Sequence, residues 1–236
     1  MDLVTDFDSL IQKNSEKSLA KLNELYKDVK QDLRKNFYKS INKFYTAMEV
    51  WVRQLSQKEI DEENKIILKN ILYNYCLILH IVVIGDKKIL NFLYRNTIEG
   101  FIRYLTGELE SRELDSLFSK VNKVESGKCR STMEIYISRL KQIYDESCLY
   151  IHTDTSRMPD DLITLLDLQN KHNEIDLKEE KDTFDKMNLA MINILKIKYY
   201  DLYKEFKDNI KSYMDELLTL DDRKRFKVVA DIKKNI

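Results

Sequence analysis

One stretch, LYRNTIEGFIRYL at Leu93–Leu105, combines a packing face with a charged stripe. Its charged residues, Arg95, Glu99 and Arg103, recur at every fourth position, so on a helix they align in one row. The apolar residues of the neighbouring arc are Ile98, Phe101, Ile102 and Leu105. Charges that lie beside a packing face are partly buried and need partners, and Glu99 can bridge both arginines. The stretch therefore predicts an amphipathic helix that carries a candidate site.

The same three-to-four spacing of apolar residues continues through most of the chain. Two very long helical patterns, 15–56 and 173–218, contain neither glycine nor proline. Shorter helical patterns fill a core region at about 60–152, where Gly85 with Asp86 ends one helix and starts the next, and Gly107 ends that next helix. We predict an all-α helical bundle, a single domain over 1–236 with long N- and C-terminal helices. The long helices would pack against each other or extend as an arm that forms a dimer.

Composition supports this fold class and limits the function. The chain has only 4 Gly and 1 Pro, which excludes most β folds because hairpins need turn residues. Lys and Arg number 40 and Asp and Glu also number 40, so the formal net charge is zero. Zero net charge argues against a protein that coats nucleic acid through bulk charge, but it permits a local basic cleft.

The cysteines and the apolar segments bear on the cellular compartment. Three scattered cysteines without a CxxC pair indicate neither a disulfide framework nor a zinc site, and they suit a reducing cytosol. The N-terminus, MDLVTDFDSL, lacks a signal-peptide pattern. The most apolar stretch, Ile66–Ile84, is interrupted by polar residues, so we interpret it as a buried core helix and not a membrane span. We therefore predict a cytoplasmic protein without a membrane partner.

Motifs of the common enzyme scaffolds are missing from the sequence. It has no phosphate-binding glycine loop, no GxSxG and no HExxH, so any chemistry must come from side chains on helices, and we predict no cofactor or metal. Arg95, with Asn96 beside it and Arg103 two turns later, could grip a phosphate. The alternative interpretation of the charged stripe is an intrahelical ion-pair ladder worth a few tenths of a kcal/mol per pair.

The three histidines occur in different contexts. His80 lies within an apolar run and is interpreted as a structural residue, and His172 is interpreted as exposed and structural. His152 closes a predicted helix near Tyr144 and Ser147, where a packed helix holds it within reach of solvent. That position suits general acid–base catalysis, although it equally suits capping of the helix C-terminus.

Two segments together resemble the HEPN superfamily (higher eukaryotes and prokaryotes nucleotide-binding), in its abortive-infection-like branch. They are RNTIEGFIRYL at Arg95–Leu105 and YDESCLYIH at Tyr144–His152. In such proteins an arginine–polar helix start faces a later Ser-x-x-x-x-His segment, which Ser147 and His152 match here. The best-known family signature places Arg and His on one helix. No histidine in this chain has an arginine four to six residues before it, so Arg95 and His152 must meet through tertiary packing.

The resemblance implies an all-helical, commonly dimeric protein of toxin–antitoxin, phage-defence or RNA-processing systems. Active members of the family resemble metal-independent endoribonucleases with a cleft at the dimer interface. The residue roles that it implies are catalysis by Arg95 and His152, phosphate or RNA binding by Arg103 and Asn96, and orientation by Glu99, Tyr144 and Ser147. The alternative is a non-catalytic helical interaction protein, such as an antitoxin, regulatory or scaffold subunit, which works through its long helices with a protein partner.

Overall fold

A computed structural model describes residues 3–25, 31–58, 61–108, 114–121, 123, 125–153 and 176–234. Those residues contain ten helices and no strand, which confirms the all-α helical bundle. The helices are α1 (Leu3–Leu25), α2 (Gln31–Gln57), α3 (Glu62–Ile84), α4 (Lys87–Thr106), α5 (Leu114–Val121), α6 (Gly127–Thr153), α7 (Leu177–Lys198), α8 (Tyr200–Glu205), α9 (Asp208–Leu217) and α10 (Leu220–Lys233).

The boundary between α3 and α4 is fixed by local sequence, as predicted. Gly85 ends α3 in the left-handed conformation, with φ 83°, and its N–H donates to the Ile81 carbonyl. Asp86 then caps α4, because its carboxylate accepts a hydrogen bond from the Ile89 N–H. Gly107 ends α4 in the same left-handed conformation, with φ 68°. The sequence therefore identifies the residues that begin and end α4, the helix that carries the charged stripe.

Helix α7 occupies the centre of the bundle and is buried on nearly all sides over its second half. Its Phe184 is fully buried and contacts aromatic rings from three other helices. The ring-centroid distances are 5.6 Å to Phe37 and 6.0 Å to Phe44 on α2, 5.5 Å to Tyr75 on α3 and 6.4 Å to Tyr94 on α4. This aromatic cluster fixes α2, α3 and α4 around α7.

The two very long helices predicted at the ends of the chain have different outcomes. The pattern over 15–56 is helical up to Leu25 and again from Gln31, and the residues between them lie outside the described part of the chain. The single helix predicted over 173–218 is wrong, because the structure has α7, α8 and α9 there. The backbone leaves the helical conformation at Phe206, with ψ 144°, although the sequence there contains no glycine or proline. The departure lets Phe206 pack on the fully buried Trp51, at 4.8 Å between ring centroids.

The sequence predicts that α3 is a buried core helix, but only one of its two faces is buried. One face is buried, but Ile66, Tyr73 and Ile84 on the other face are 55%, 62% and 48% exposed. Within the described part of the chain, α3 is the one helix long and apolar enough to cross a membrane, with 39% of its most apolar window buried. Core helices of soluble proteins pass the same test, so this property alone assigns no location.

Replacement of Phe206 by alanine tests the packing that ends α8. The change removes a buried aromatic ring from contact with Trp51 and Tyr203, so we expect a loss of about 3–5 kcal/mol in the free energy of unfolding. Urea denaturation measures the loss, and Val228→Ala, at a 47% exposed position of α10, should change stability by no more than about 0.5 kcal/mol. Equal effects of the two substitutions would contradict the packing described.

Candidate functional site between α4 and α6

The rotation of α4 about its axis is set by Tyr94. This side chain is fully buried against Phe184, and its hydroxyl donates to the Glu180 carbonyl over 3.1 Å. Successive residues of an α-helix are about 100° apart, so with Tyr94 held against α7 the next residue faces a different neighbour. That residue is Arg95, and the neighbour that it contacts is α6.

Arg95 is the centre of a small cluster with Tyr144 and Cys148 of α6. Its guanidinium carbon lies 5.7 Å from the centroid of the Tyr144 ring, and the interaction with Tyr144 raises the pKa of Arg95. Cys148 follows Tyr144 by about one turn of α6. Burial raises the pKa of Tyr144, and the proximity of Cys148 raises it further, so the hydroxyl remains protonated at neutral pH. The arginine is therefore held in place by α6 while it stays partly accessible to solvent.

The other arginine of the stripe has a different environment. Arg103 donates to one carboxylate oxygen of Glu99 from both Nε and Nη2, over 3.2 and 2.8 Å. Its Nη1 reaches the Glu108 carbonyl just beyond the end of α4, over 3.4 Å. Glu99 contributes, after Tyr144 and Cys148, to raising the pKa of Arg95, and its bridging of both arginines stays a prediction. Arg103 would have to exchange these partners to bind a phosphate, and that role stays a prediction.

An acidic groove, lined by Asp115, Asp145 and Glu146, lies between α5 and α6 near Tyr144. Phe118 of α5 packs against Tyr144 with 5.9 Å between ring centroids, and it lines a groove of 650 Å³ between α5 and α6. Lys141 crosses this groove, with its Nζ 2.8 Å from Asp115 and 2.6 Å from Asp145. Three acidic side chains against one lysine make this groove unfavourable for an anion.

The other residues predicted for the site, and the other histidines, differ in their burial and in whether the structure describes them. Asn96 is exposed on α4, next to Arg95, and Ser147 is buried on α6. His152 belongs to the last turn of α6, but its side chain lies outside the described residues, as does all of His172. His80 is partly exposed, although its position in an apolar run predicts that it is buried. The structure thus brings Arg95, Glu99 and Tyr144 together, and the pairing of Arg95 with His152 stays a prediction.

Sequence reasoning did not assign roles to two residues that shape this site. Cys148 follows Tyr144 by four residues, so their adjacency on one helix face is implicit in the sequence. Phe118 offers no such signal, because its contact with Tyr144 joins separate helices. Among the described residues, no group of three or more His, Cys, Asp or Glu side chains is placed to hold a metal ion.

Comparisons with protein-family models, curated proteins and solved structures find no match to this chain. The fold and the side-chain geometry therefore carry the functional argument.

A double-mutant cycle tests whether Tyr144 holds Arg95. For Arg95→Met and Tyr144→Leu we expect a coupling energy of about 0.5–1 kcal/mol in urea denaturation, since the cation–π contact between the two side chains is lost. Arg130 is the matched control, because this exposed arginine of α6 pairs with Glu134. Arg130→Met should combine additively with Tyr144→Leu, and additivity for the Arg95 pair as well would show that the contact is absent in solution.

Proposed function

We propose that this protein is a HEPN-like, metal-independent endoribonuclease in which Arg95 binds the scissile phosphate and His152 transfers protons. One observation carries the proposal: Arg95 of α4 is held by Tyr144 on α6, the helix whose last turn contains His152. A metal-free ribonuclease needs a cation for the phosphate and an acid–base group within reach of the same phosphodiester. The pairing of α4 with α6 supports that combination.

The helix geometry supports a shared cleft. Each residue advances an α-helix by 1.5 Å, so the backbone of His152 lies about 6 Å beyond Cys148 and about 12 Å beyond Tyr144 along α6. The two helices run antiparallel, because Lys198 donates to Leu105 near the end of α4 and interacts with Glu125 just before α6. Side chains lean toward the start of their helix, so Arg95 leans in the direction in which α6 continues to His152.

The proposed chemistry is an internal displacement on RNA. His152 accepts the proton of a ribose 2′-hydroxyl as that oxygen attacks the adjacent phosphorus. The bond from phosphorus to the 5′-oxygen breaks, the leaving oxygen receives the proton that His152 accepted, and the products are a 2′,3′-cyclic phosphate and a 5′-hydroxyl. Arg95 stabilises the negative charge that builds on the non-bridging oxygens. Asn96 and Arg103 would bind neighbouring parts of the RNA, and Glu99, Tyr144 and Ser147 would orient the site.

The biological setting follows from the same proposal. An endoribonuclease of this type would act as a toxin or phage-defence protein on cytoplasmic RNA, without a membrane partner or a cofactor. An antitoxin-like protein would be its natural inhibitor. Because the groove between α5 and α6 is acidic and Asn96 beside Arg95 is exposed, the RNA would approach Arg95 along α4 and not through that groove.

Cleavage of RNA by the purified protein in EDTA tests the proposal. We expect metal-independent cleavage that falls about 100-fold or more in Arg95→Ala and in His152→Ala, with melting temperatures near that of the wild type. His80→Ala and Arg130→Ala serve as matched controls, since they remove a histidine on α3 and an exposed arginine of α6, and both should retain full activity. An unchanged rate in His152→Ala, or no cleavage over a panel of RNAs, would refute the assignment.

A second candidate function, non-catalytic protein interaction, is favoured by the outer face of α3 and the start of α4. Besides the exposed residues of α3, Ile89 and Phe92 of α4 are 44% and 51% exposed. No Asp, Glu, Lys or Arg occurs over 70–84. Ile66, Tyr73 and Ile84 lie on one side of α3, at spacings of seven and eleven residues. An apolar stripe without charges cannot form ion pairs with a charged partner. The partner that suits it best is therefore the same stripe on a second copy of this chain.

Sedimentation analysis tests this interface. The wild type should be a dimer, and Tyr73→Glu should be a monomer because it buries a charge at the centre of the stripe. Leu149→Glu is the matched control, at a 64% exposed position of α6, and it should remain dimeric. A wild-type monomer, or a dimer that survives Tyr73→Glu, would exclude self-association through this face. Dimerisation without RNA cleavage by either wild type or variants would favour the interaction function.

A further inference from the structure

An exposed aromatic ring lies on the solvent side of α4, about one turn before Arg95. Of the phenylalanine side chains that the structure describes, Phe92 is the only exposed one, at 51%. It makes no contact with another aromatic ring in the described part of the chain. Half of this side chain is therefore available to a ligand, and its neighbours on the helix indicate which ligand.

The rotation of α4 places Phe92 between α3 and α6. On one side of the helix Gly100 faces Ile67 of α3. On the other side Arg95 faces Tyr144 of α6. Around the helix axis Gly100 is about 80° from Phe92 in one direction, and Arg95 is about 60° from it in the other. Phe92 thus lies on the ridge of α4 that neither neighbouring helix covers.

Polar and basic side chains share this ridge with Phe92. Those within about 40° of it around the helix axis are Lys88, Asn96 and Arg103. Lys88 is partly exposed and forms no ion pair with a described residue, and Asn96 is exposed. The one acidic residue of α4, Glu99, accepts hydrogen bonds from Arg103. The ridge therefore presents an aromatic ring with a cation one turn before it and an amide one turn after it.

The direction of α6 brings the proposed active site to the same end of α4. The two helices run antiparallel, so from Tyr144, which contacts Arg95, α6 continues toward the start of α4. Phe92 lies about 4.5 Å before Arg95 along the α4 axis, in the direction of the last turn of α6 with His152. A nucleotide whose phosphate is bound by Arg95 would therefore have a base within reach of the Phe92 ring.

We propose that Phe92 stacks on an unpaired base of the RNA strand that Arg95 binds, while Lys88 binds a neighbouring phosphate of that strand. This subsite rests on the proposed function, since it assumes that Arg95 holds a phosphate of the same RNA. Aromatic side chains stack the bases of single strands with little sequence preference, because every base has a π-face. A base in a duplex is already stacked and paired, so the subsite selects single strands and unpaired loops.

Fluorescence anisotropy with a labelled, single-stranded 2′-O-methyl oligonucleotide of about 12 nucleotides tests the subsite. This probe lacks the 2′-hydroxyl that the proposed reaction needs, so binding is measured without cleavage. We expect it to bind at least tenfold more tightly than the same strand in a duplex. Phe92→Ala should weaken binding of the single strand about tenfold, and Phe92→Trp should retain it. Lys88→Gln should lower the slope of log affinity against log salt by about 0.7, whereas Phe92→Ala should leave the slope unchanged.

Tyr73→Ala is the matched control, because it removes an exposed aromatic ring from the outer face of α3. It should bind the probe as the wild type does, and Phe92→Ala should sediment as the wild type does. The proposal is overturned if Phe92→Ala binds the strand as tightly as the wild type, if Phe92→Trp loses binding as Phe92→Ala does, or if the duplex binds as tightly as the single strand. Weakened binding in Tyr73→Ala, or an altered oligomeric state of Phe92→Ala, would assign the ring to self-association instead.

Binding and cleavage separate this subsite from the nuclease proposal. Cleavage of unmodified RNA that Phe92→Ala leaves unchanged would remove the subsite while the nuclease proposal stands. Binding of the 2′-O-methyl strand that depends on Phe92, without cleavage of the unmodified strand, would refute the nuclease and leave a binding site for single-stranded RNA.

Discussion

Burial of α7, on nearly all sides over its second half, is the constraint on which the rest of this structure depends. A helix at the centre of a bundle needs an apolar neighbour in every direction, and Phe184 meets aromatic rings from α2, α3 and α4. The buried polar residues of α7 fix the same neighbours in register. Asn188 accepts a hydrogen bond from Tyr75 of α3, and Glu180 lies 3.1 Å from the ammonium group of Lys87 on α4. Since an unpaired buried polar group is costly, these contacts select one arrangement of the bundle.

The candidate site is a consequence of that arrangement. With Tyr94 held against α7, the adjacent Arg95 is turned toward α6, where Tyr144 holds its guanidinium. The contacts that pack Tyr94 into the core thus also orient the Arg95 guanidinium toward α6. Rigid helices of this kind position side chains precisely, which a ribonuclease without a metal requires of its arginine and histidine. The same bundle leaves the outer face of α3 apolar and exposed, and this face supports the competing interaction function.

Local sequence signals predicted the features that depend on neighbouring residues. Gly85 and Asp86 marked the α3–α4 boundary, and the spacing of Arg95, Glu99 and Arg103 predicted the stripe and the Glu99–Arg103 pair. The remaining features depend on contacts between distant residues. The helix break at Phe206 is stabilised by Trp51, far away in the chain, and the residue itself is an ordinary helix former. The partner of Arg95 and the exposure of α3 likewise follow from tertiary packing, which a single sequence does not encode by periodicity.

A crystallographic distance between the Arg95 guanidinium and the His152 imidazole, with a non-cleavable dinucleotide bound, tests the central claim most directly. The pairing of α4 with α6 predicts a separation of about 10 Å or less, with both groups in contact with one phosphate. A His152 ring directed to the opposite face of α6, or a dinucleotide that contacts neither group, would contradict the account.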